Sequence, residues 1–221
     1  MSEGDIKVEV LGWIRRACRG RDLPVVTGEF SLNGTGIRAD LAVLHRSFYG
    51  IEIKSAADTL KRLPSQMEGY ARYFDRTILV VAPKHLRGLR DLDLQGAQVW
   101  SQSALSEQQL RKRGMPRRVA GHTLLGLLTA EEERRAVRSM QHATSGSRDP
   151  VRAEFEAVFR RRYASTSAAF WEAVRGRPIR LDDLKLLSRF HLERERDRAA
   201  REAENVRWAQ WACRMSDGAS A

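Results

Sequence analysis

Cysteine is scarce in this chain of 221 residues, and the two that occur are far apart. Cys18 and Cys213 each lack a second cysteine or a histidine at zinc-ligand spacing, so the sequence has neither a disulfide framework nor a structural zinc motif. Long apolar runs are missing too: no stretch approaches the roughly 18 to 20 residues that span a bilayer. The first ten residues, MSEGDIKVEV, begin with acids rather than an apolar leader. We expect a cytoplasmic protein without a membrane partner.

Basic residues, in contrast, are in large excess. Lysine and arginine number 39 against 28 acids, which gives a formal net charge of +11. Such an excess favours a polyanionic partner, because basic side chains release counterions from nucleic acid when they bind it. Only six of the basic residues are lysines, so a GC-rich coding sequence explains the arginine excess as readily.

The periodicity of apolar residues predicts an α/β protein. Residues Asp5 to Arg19 have helical spacing. Three short β-rich runs follow, PVVTGEF, IRADLAVL and FYGIEIK, and the turn signals LNGTG and HRS between them predict an antiparallel meander. A helical stretch then leads to TILVVA, which is apolar on both faces as in a central strand, and GAQVW is a candidate for one more. We expect a mixed central sheet flanked by helices.

The chain after about Ser101 is predicted to be helical and basic. Thr129 and Glu132 have capping-box spacing, and the small polar stretch His142 to Pro150 is the best linker candidate. We therefore predict an α/β domain over residues 1–140 and a helical basic C-terminal region over 150–221. That region is as suited to a bundle or a homodimer as to contacts with nucleic acid.

Chemistry is predicted at the hairpin Arg38 to Lys54. The acid-x-lysine pattern of Glu52 and Lys54 is weak evidence, because it occurs three times where composition alone would give it about once. Its context is stronger, since a strand places Glu52 and Lys54 on one face. If His45 to Ser47 form a three-residue loop, Leu44 pairs with Phe48, Ala42 with Gly50 and Asp40 with Glu52.

Two opposed carboxylates repel unless a cation lies between them, and Mg²⁺ prefers such oxygen ligands. Because Ala42 and Gly50 are small, we expect a substrate to approach over that pair. The alternative is a wet sheet face on which Asp40 pairs with Arg38 and Glu52 pairs with Lys54.

RADLAVL, YGIEIKS and DTLKRLPSQMEGYARYFDRTILVV together resemble the core of the PD-(D/E)XK nuclease superfamily. More narrowly, they are similar to a family of small, poorly characterised bacterial and phage proteins within it. The similarity covers Glu29 to Leu86 and is most specific from Asp40 to Val81. It implies a restriction-endonuclease-like core of helix, three-stranded meander, helix and strand. The proline that names the superfamily is absent, since Ala39 precedes Asp40.

The resemblance implies a Mg²⁺ or Mn²⁺ centre and assigns roles to several residues. Asp40, Glu52 and the carbonyl of Ile53 would bind the metal, and Lys54 would be catalytic. Glu29 matches an additional acid, although other members take that acid from the first helix, where Glu9 is available.

Two residues of the following helix also match a family motif. Gln66 and Tyr70 correspond to the Q-x-x-x-Y motif of RecB-like nucleases, which places them together on a helix facing the active site. The structural alternatives are a surface amide for Gln66 and core packing for Tyr70.

Basic residues near the hairpin and in RKRGMPRR are the predicted nucleic-acid contacts: Arg38, Arg62, Arg111, Arg113, Arg117 and Arg118. FRRRY, Phe159 to Tyr163, is a second basic stretch, in which Tyr163 could stack on a base. Both stretches are equally compatible with solvated faces. We interpret Trp171, Trp208 and Trp211 as packing or interface residues.

The sequence thus favours a metal-dependent nuclease that hydrolyses phosphodiester bonds, with DNA as partner. The alternative is a protein that binds nucleic acid or assembles with it through the same fold without cleavage. A basic protein that binds an acidic protein partner is a third reading.

Overall fold

The helices and strands are described from a computed structural model that covers residues 1–19, 21–102, 110–112, 114–141 and 149–188, with Arg201, Glu204, Arg207 and Trp208. Helices α1 to α5 comprise Glu3–Ala17, Leu63–Tyr73, Gly121–Leu125, Ala130–Gln141 and Pro150–Ala173. Strands β1 to β6 comprise Val25–Leu32, Ile37–Leu44, Phe48–Lys54, Arg76–Val81, Gln98–Ser101 and Leu110–Lys112. Short 3-10 helices cover Pro83–His85 and Leu181–Leu187. The predicted mixed α/β architecture is confirmed.

The six strands form one mixed sheet in the order β1-β2-β3-β4-β5-β6. The pairs β1–β2, β2–β3 and β5–β6 are antiparallel, whereas β3–β4 and β4–β5 are parallel. Leu44 pairs with Phe48 and Ala42 with Gly50, so the predicted hairpin register is confirmed over this part. The parallel pairing places Lys54 beside Val81, at the carboxyl end of β3 and β4.

Helices cover both faces of the sheet and divide the core into two layers. On one face, Ile6 and Val10 of α1 pack with Ile51 and Ile53 of β3. On the other, α2 and α5 contribute a buried aromatic group: Tyr70, Phe74, Phe155 and Phe159. The period of two in β3 therefore turns Glu52 and Lys54 toward α2, as the sequence predicts.

The small pair Ala42 and Gly50 is closed to a substrate. Both residues are buried, and the ring of Phe74 packs on Gly50 so closely that a Cβ there would lie 2.2 Å from Cδ2. The expectation that a substrate approaches over this pair is wrong, because Phe74, the residue after α2, fills the space. The accessible chemistry lies further along the hairpin, beyond Leu41 and Ile51.

The chain divides into two compact units, Met1–Ser188 and Arg189–Ala221. Helix α5 belongs to the first, since Phe155 and Phe159 lie 5.3 and 5.2 Å, ring to ring, from Phe48 of β3. The predicted boundary between residues 140 and 150 thus falls inside the first unit, because the apolar face of α5 completes the core of the sheet.

Other C-terminal predictions are settled only in part. The predicted capping box at Thr129 is confirmed by hydrogen bonds in both directions with Glu132. Residues 142–148 of the predicted linker lie outside the described residues, as does most of the chain beyond Ser188. Within the described part of the chain, no helix is long and apolar enough to cross a membrane.

Candidate active site

Glu52 is the most enclosed acidic side chain at the carboxyl end of β3. It is 2% exposed, and both carboxylate oxygens accept hydrogen bonds. Oε1 accepts from Lys54 Nζ and Gln66 Nε2, each at 2.6 Å, and Oε2 accepts from the Tyr70 hydroxyl at 2.5 Å. Gln66 and Tyr70 reach Glu52 together because positions 66 and 70 lie one turn apart on the same face of α2.

One polar atom of the Gln66 side chain has no hydrogen-bond partner among the described residues. Its Oε1 is buried and accepts no hydrogen bond from any residue in the described part of the chain. Buried polar atoms are nearly always paired with protein or water, so this atom is available to a molecule bound beside Glu52.

Asp40 binds the backbone of the neighbouring strand where the hairpin opens. The paired register of β2 and β3 ends at Leu41 and Ile51, and Asp40 Oδ2 then accepts from the Ile53 N–H at 2.7 Å. The N–H and C=O of one strand residue point to the same neighbour, so the Ile53 carbonyl also faces the strand of Asp40. Asp40 and Glu52 are therefore not a ladder pair, although their charges interact.

An ammonium group lies among three carboxylates, one of which is that of Asp40. Lys7 Nζ of α1 is 2.7 Å from Glu3 Oε1, 2.6 Å from Glu29 Oε1 and 3.8 Å from Asp40 Oδ1. The three acids each place a carboxylate oxygen within 4.8 Å of the others, a spacing that can hold a cation. The acid that the first helix brings to the site is thus Glu3, whereas Glu9 lies in a different groove with Val8 and Arg16.

Glu29 reaches this cluster through an unusual backbone conformation. It has φ of +52° within β1, in the left-handed region that costs a non-glycine residue about 1 kcal/mol or more. The pairing with β2 keeps the same register on both sides, Gly28 with Leu41 and Phe30 with Ala39. The strain is therefore confined to the residue whose side chain binds Lys7.

Burial and a neighbouring negative charge together make Asp40 a weaker acid than an ordinary aspartate. Burial, followed by the charge of Glu52, raises its pKa to about 8, although Lys7 and the Ile53 N–H act in the opposite direction. Burial also opposes the charge on Lys7, but Asp40, Glu29 and Glu3 raise its pKa well above the usual value. Burial and the nearby Glu52 raise the pKa of the Tyr70 hydroxyl well above its normal range, so Tyr70 remains a hydrogen-bond donor.

Asp40 and Glu52 line a polar cleft of about 400 Å³. Its walls include the predicted site residues Glu29, Asp40, Glu52, Ile53, Lys54 and Gln66, and the exposed Arg38 and Arg62. The alternative of a wet sheet face fits only in part: Glu52 does pair with Lys54, but the pair is buried. Tyr70 lies behind Glu52. Its ring packs in the core and its hydroxyl donates a hydrogen bond to Glu52, so the two alternatives for this residue both hold.

Comparison with known proteins gives a family assignment. The family model described as Bacteriophage P4 protein cII matches residues 1–188. The chain belongs to this cII family. The matched range is also that of the first compact unit, Met1–Ser188.

Two similar proteins place the cII-family chain among known sequences and structures. Protein cII of Enterobacteria phage P4 is 31% identical over 84 residues, which is 38% of this chain and 31% of that protein. A solved protein of unknown function from Silicibacter pomeroyi is 18% identical, with a TM-score of 0.40, over 66% of this chain and 99% of that one.

The predicted basic contacts of the cII-family chain fall in separate places. Arg117 and Arg118 are exposed, but the Arg117 N–H binds the Asp75 carbonyl, beside the amino end of β4 and away from the cleft. Arg113 and the side chain of Arg111 lie outside the described residues. All four stay predictions.

The second basic stretch has structural roles at two of its positions. Arg162 Nε binds Glu132 Oε1 at 3.0 Å, and the Tyr163 ring packs on Phe159 at 4.8 Å. A base-stacking role for Tyr163 is not supported, because its ring is engaged in the core. Trp171 is a packing residue as predicted, 7% exposed with its Nε1–H on the Pro24 carbonyl. Trp208 is 59% exposed, and Trp211 lies outside the described residues.

Lys7 and Glu3 are residues of this cleft region that the sequence did not predict. Lys7 belongs to one of the acid-x-lysine matches, with Asp5, that we discounted as chance. The informative signal was the spacing of Glu3 and Lys7, four residues apart on the same helix face, but nothing local indicates that this face meets β1 and β2.

Proposed function

We propose that this cII-family protein is a metal-dependent nuclease of the PD-(D/E)XK type that hydrolyses phosphodiester bonds in DNA. The observation that carries the proposal is the buried pair of Glu52 and Lys54, 2.6 Å apart, in a polar cleft that also holds Asp40. Arg38 and Arg62 at the cleft wall are basic side chains that can contact a phosphate backbone. A restriction-endonuclease-like fold is part of the same proposal.

The donor set fits a hard divalent cation, Mg²⁺ or Mn²⁺. Asp40 and Glu29 supply carboxylate oxygens, and the Ile53 carbonyl faces the same strand. Burial and the charge of Glu52 raise the pKa of Asp40, and a nearby cation would favour its ionised form. The Lys7 ammonium already lies among the carboxylates of Asp40 and Glu29. We propose Asp40, Glu52, Ile53 and Glu29 as the metal-binding residues.

A bound divalent cation would supply an acidified water and offset the charge that develops on the phosphate. The protein's own residues orient the reacting groups and stabilise the charge on the phosphate. Lys54 directs its ammonium into the cleft, where it can donate to a phosphate oxygen. Gln66 and Tyr70 fix the carboxylate of Glu52, and the free Oε1 of Gln66 can accept a hydrogen bond from a water beside it.

The test is incubation of the purified protein with labelled single-stranded, duplex and flap DNA in Mn²⁺, beside Lys54→Met and the exposed control Lys61→Met. We expect cleavage of at least one substrate by the wild type and by Lys61→Met, and a loss of about 100-fold or more in Lys54→Met. Full activity of Lys54→Met would exclude the proposed centre.

The arrangement around Glu52 also admits a second candidate function, a protein that binds nucleic acid without cleaving it. Glu52 already accepts three hydrogen bonds, from Lys54, Gln66 and Tyr70, so a metal would have to compete with these donors for its lone pairs. Binding of the same DNA panel by wild type and Lys54→Met alike, without cleavage, would favour this function.

A further inference from the structure

Lys7 has more negative neighbours than one ion pair requires. Its Nζ lies 2.6 Å from Glu29 and 2.7 Å from Glu3, with Asp40 at 3.8 Å. The three acids come from α1, β1 and β2, and the Lys7 side chain is only 12% exposed. A single ammonium therefore lies among carboxyl groups that converge from three elements.

The ammonium and a divalent cation cannot share these oxygens. The three carboxylates lie within 4.8 Å of one another, so a metal bound by Asp40 and Glu29 would lie within a few ångströms of Nζ. Like charges at that separation repel strongly in a partly buried site, where water screens them poorly. The four-carbon stem of lysine is flexible, so the ammonium can leave while α1 stays in place.

We infer that Lys7 is a resident cation that holds the carboxylates together in the metal-free protein and must be displaced before a divalent metal binds Asp40 and Glu29. The inference rests on the metal centre of the proposed function. It adds a form of regulation to that centre, because the Lys7 contacts must break before the metal binds and so lower the metal affinity of the wild type.

The first test measures Mn²⁺ binding by calorimetry in the absence of nucleic acid. Lys7→Met keeps most of the stem and removes the charge, and Lys84→Met removes one exposed lysine charge as a matched control. The apparent affinity of the wild type is reduced by the fraction of molecules in which Lys7 has left the carboxylates, so we expect Lys7→Met to bind Mn²⁺ roughly tenfold or more tightly. Lys84→Met should bind as the wild type does.

The second test uses the wild type and does not depend on a variant that folds. Lysine acylation followed by mass spectrometry reports how accessible each of the six lysines is. Lys7 should react slowly in EDTA and several-fold faster in saturating Mn²⁺, because displacement frees the ammonium, while Lys61 and Lys84 keep their rates.

The outcomes separate this inference from the proposed function. The role of Lys7 is overturned if the wild type binds Mn²⁺ and Lys7→Met binds it no more tightly. It is also overturned if Lys7 is equally unreactive toward acylation in EDTA and in Mn²⁺. Either result leaves the proposed metal centre intact. No Mn²⁺ binding by wild type or Lys7→Met overturns both. Tighter Mn²⁺ binding by Lys7→Met, with no DNA cleavage by the wild type, supports the role of Lys7 and overturns only the proposed nuclease activity.

Discussion

At the scale of single residues, the site depends on the hydrogen bonds that surround one buried carboxylate. Glu52 is 2% exposed, and burial of an ionised carboxylate is costly unless donors replace the lost water. Lys54, Gln66 and Tyr70 supply three such donors. The first two can also meet a ligand in the cleft, whereas Tyr70 acts only through Glu52.

Replacing Tyr70 with Phe tests that positioning role. The ring stays in the core, but Glu52 Oε2 loses its donor, and removing such a supporting partner commonly costs 10- to 100-fold in metal affinity or activity. We expect Mn²⁺ affinity to fall by about tenfold, and stability by about 1 to 3 kcal/mol because a buried charge loses a hydrogen bond. Calorimetry and urea unfolding measure the two effects. Unchanged metal binding with reduced stability would reduce Tyr70 to a packing residue.

Asp40 makes the stability of the metal-free protein depend on pH. Its pKa is raised from 3.8 to about 8, so the folded state holds the proton more tightly than the unfolded chain does. Its contribution to the free energy of unfolding therefore falls as pH rises from about 4 to about 8, and is constant outside that window.

The expected result is a difference between the wild type and Asp40→Asn that varies with pH. In EDTA, the stability of Asp40→Asn relative to the wild type should increase steadily between pH 4 and pH 8, as measured by urea unfolding. Excess Mn²⁺ should reduce the increase, because a cation favours the ionised form of Asp40. A difference that is flat across this window would show that Asp40 ionises normally.

At the scale of secondary-structure elements, β1 contains local backbone strain at a proposed metal-binding residue. Glu29 has φ of +52° while the register with β2 continues unchanged around it. Strain of this kind persists where the surroundings over-determine it and is typical of functional sites. Here it accompanies the contact of Glu29 with Lys7.

Substitutions at Glu29 separate backbone strain from chemistry. Glu29→Gly should be at least as stable as the wild type, because glycine adopts this conformation freely. Glu29→Ala should be less stable than Glu29→Gly by about 1 to 2 kcal/mol. Both should bind Mn²⁺ more weakly. Equal stability of the two variants in thermal unfolding would show that the backbone is not strained there.

The same scale shows what local sequence predicts well. The register of Ala42 with Gly50 follows from a three-residue loop and a period of two, both short-range properties. The filling of Gly50 by Phe74 and the approach of Lys7 to Glu29 depend on how helices pack on the sheet. Those contacts join residues 24 and 22 positions apart, and no local pattern specifies them.

At the scale of the whole molecule, a buried ion pair connects the sheet with α5. Arg152 and Asp75 are 1% and 4% exposed, and Arg152 Nη2 lies 2.5 Å from Asp75 Oδ2. Asp75 also accepts from the N–H groups of Phe48 and Val119, each at 2.8 Å. The predicted domain boundary before residue 150 lies inside the first unit for this reason: α5 packs in the core of that unit, a long-range contact that the composition of a polar linker cannot reveal.

Breaking this pair should destabilise the first unit strongly. Arg152→Met leaves Asp75 buried without its cation, which typically costs about 3 to 5 kcal/mol. Arg175→Met is the control, because its pair with Glu172 is largely exposed and should contribute under about 1 kcal/mol. Urea unfolding distinguishes them. A loss below about 1 kcal/mol in Arg152→Met would contradict the structural role of the pair.

The most direct measurement of the central claim is single-turnover cleavage of labelled DNA in Mn²⁺ by the wild type, Glu52→Gln and Glu68→Gln. Glu68 is exposed on α2, so its substitution removes the same charge without touching the cleft. We predict that Glu68→Gln cleaves at the wild-type rate and that Glu52→Gln is slower by about 100-fold or more. Cleavage by Glu52→Gln at the wild-type rate would contradict the account.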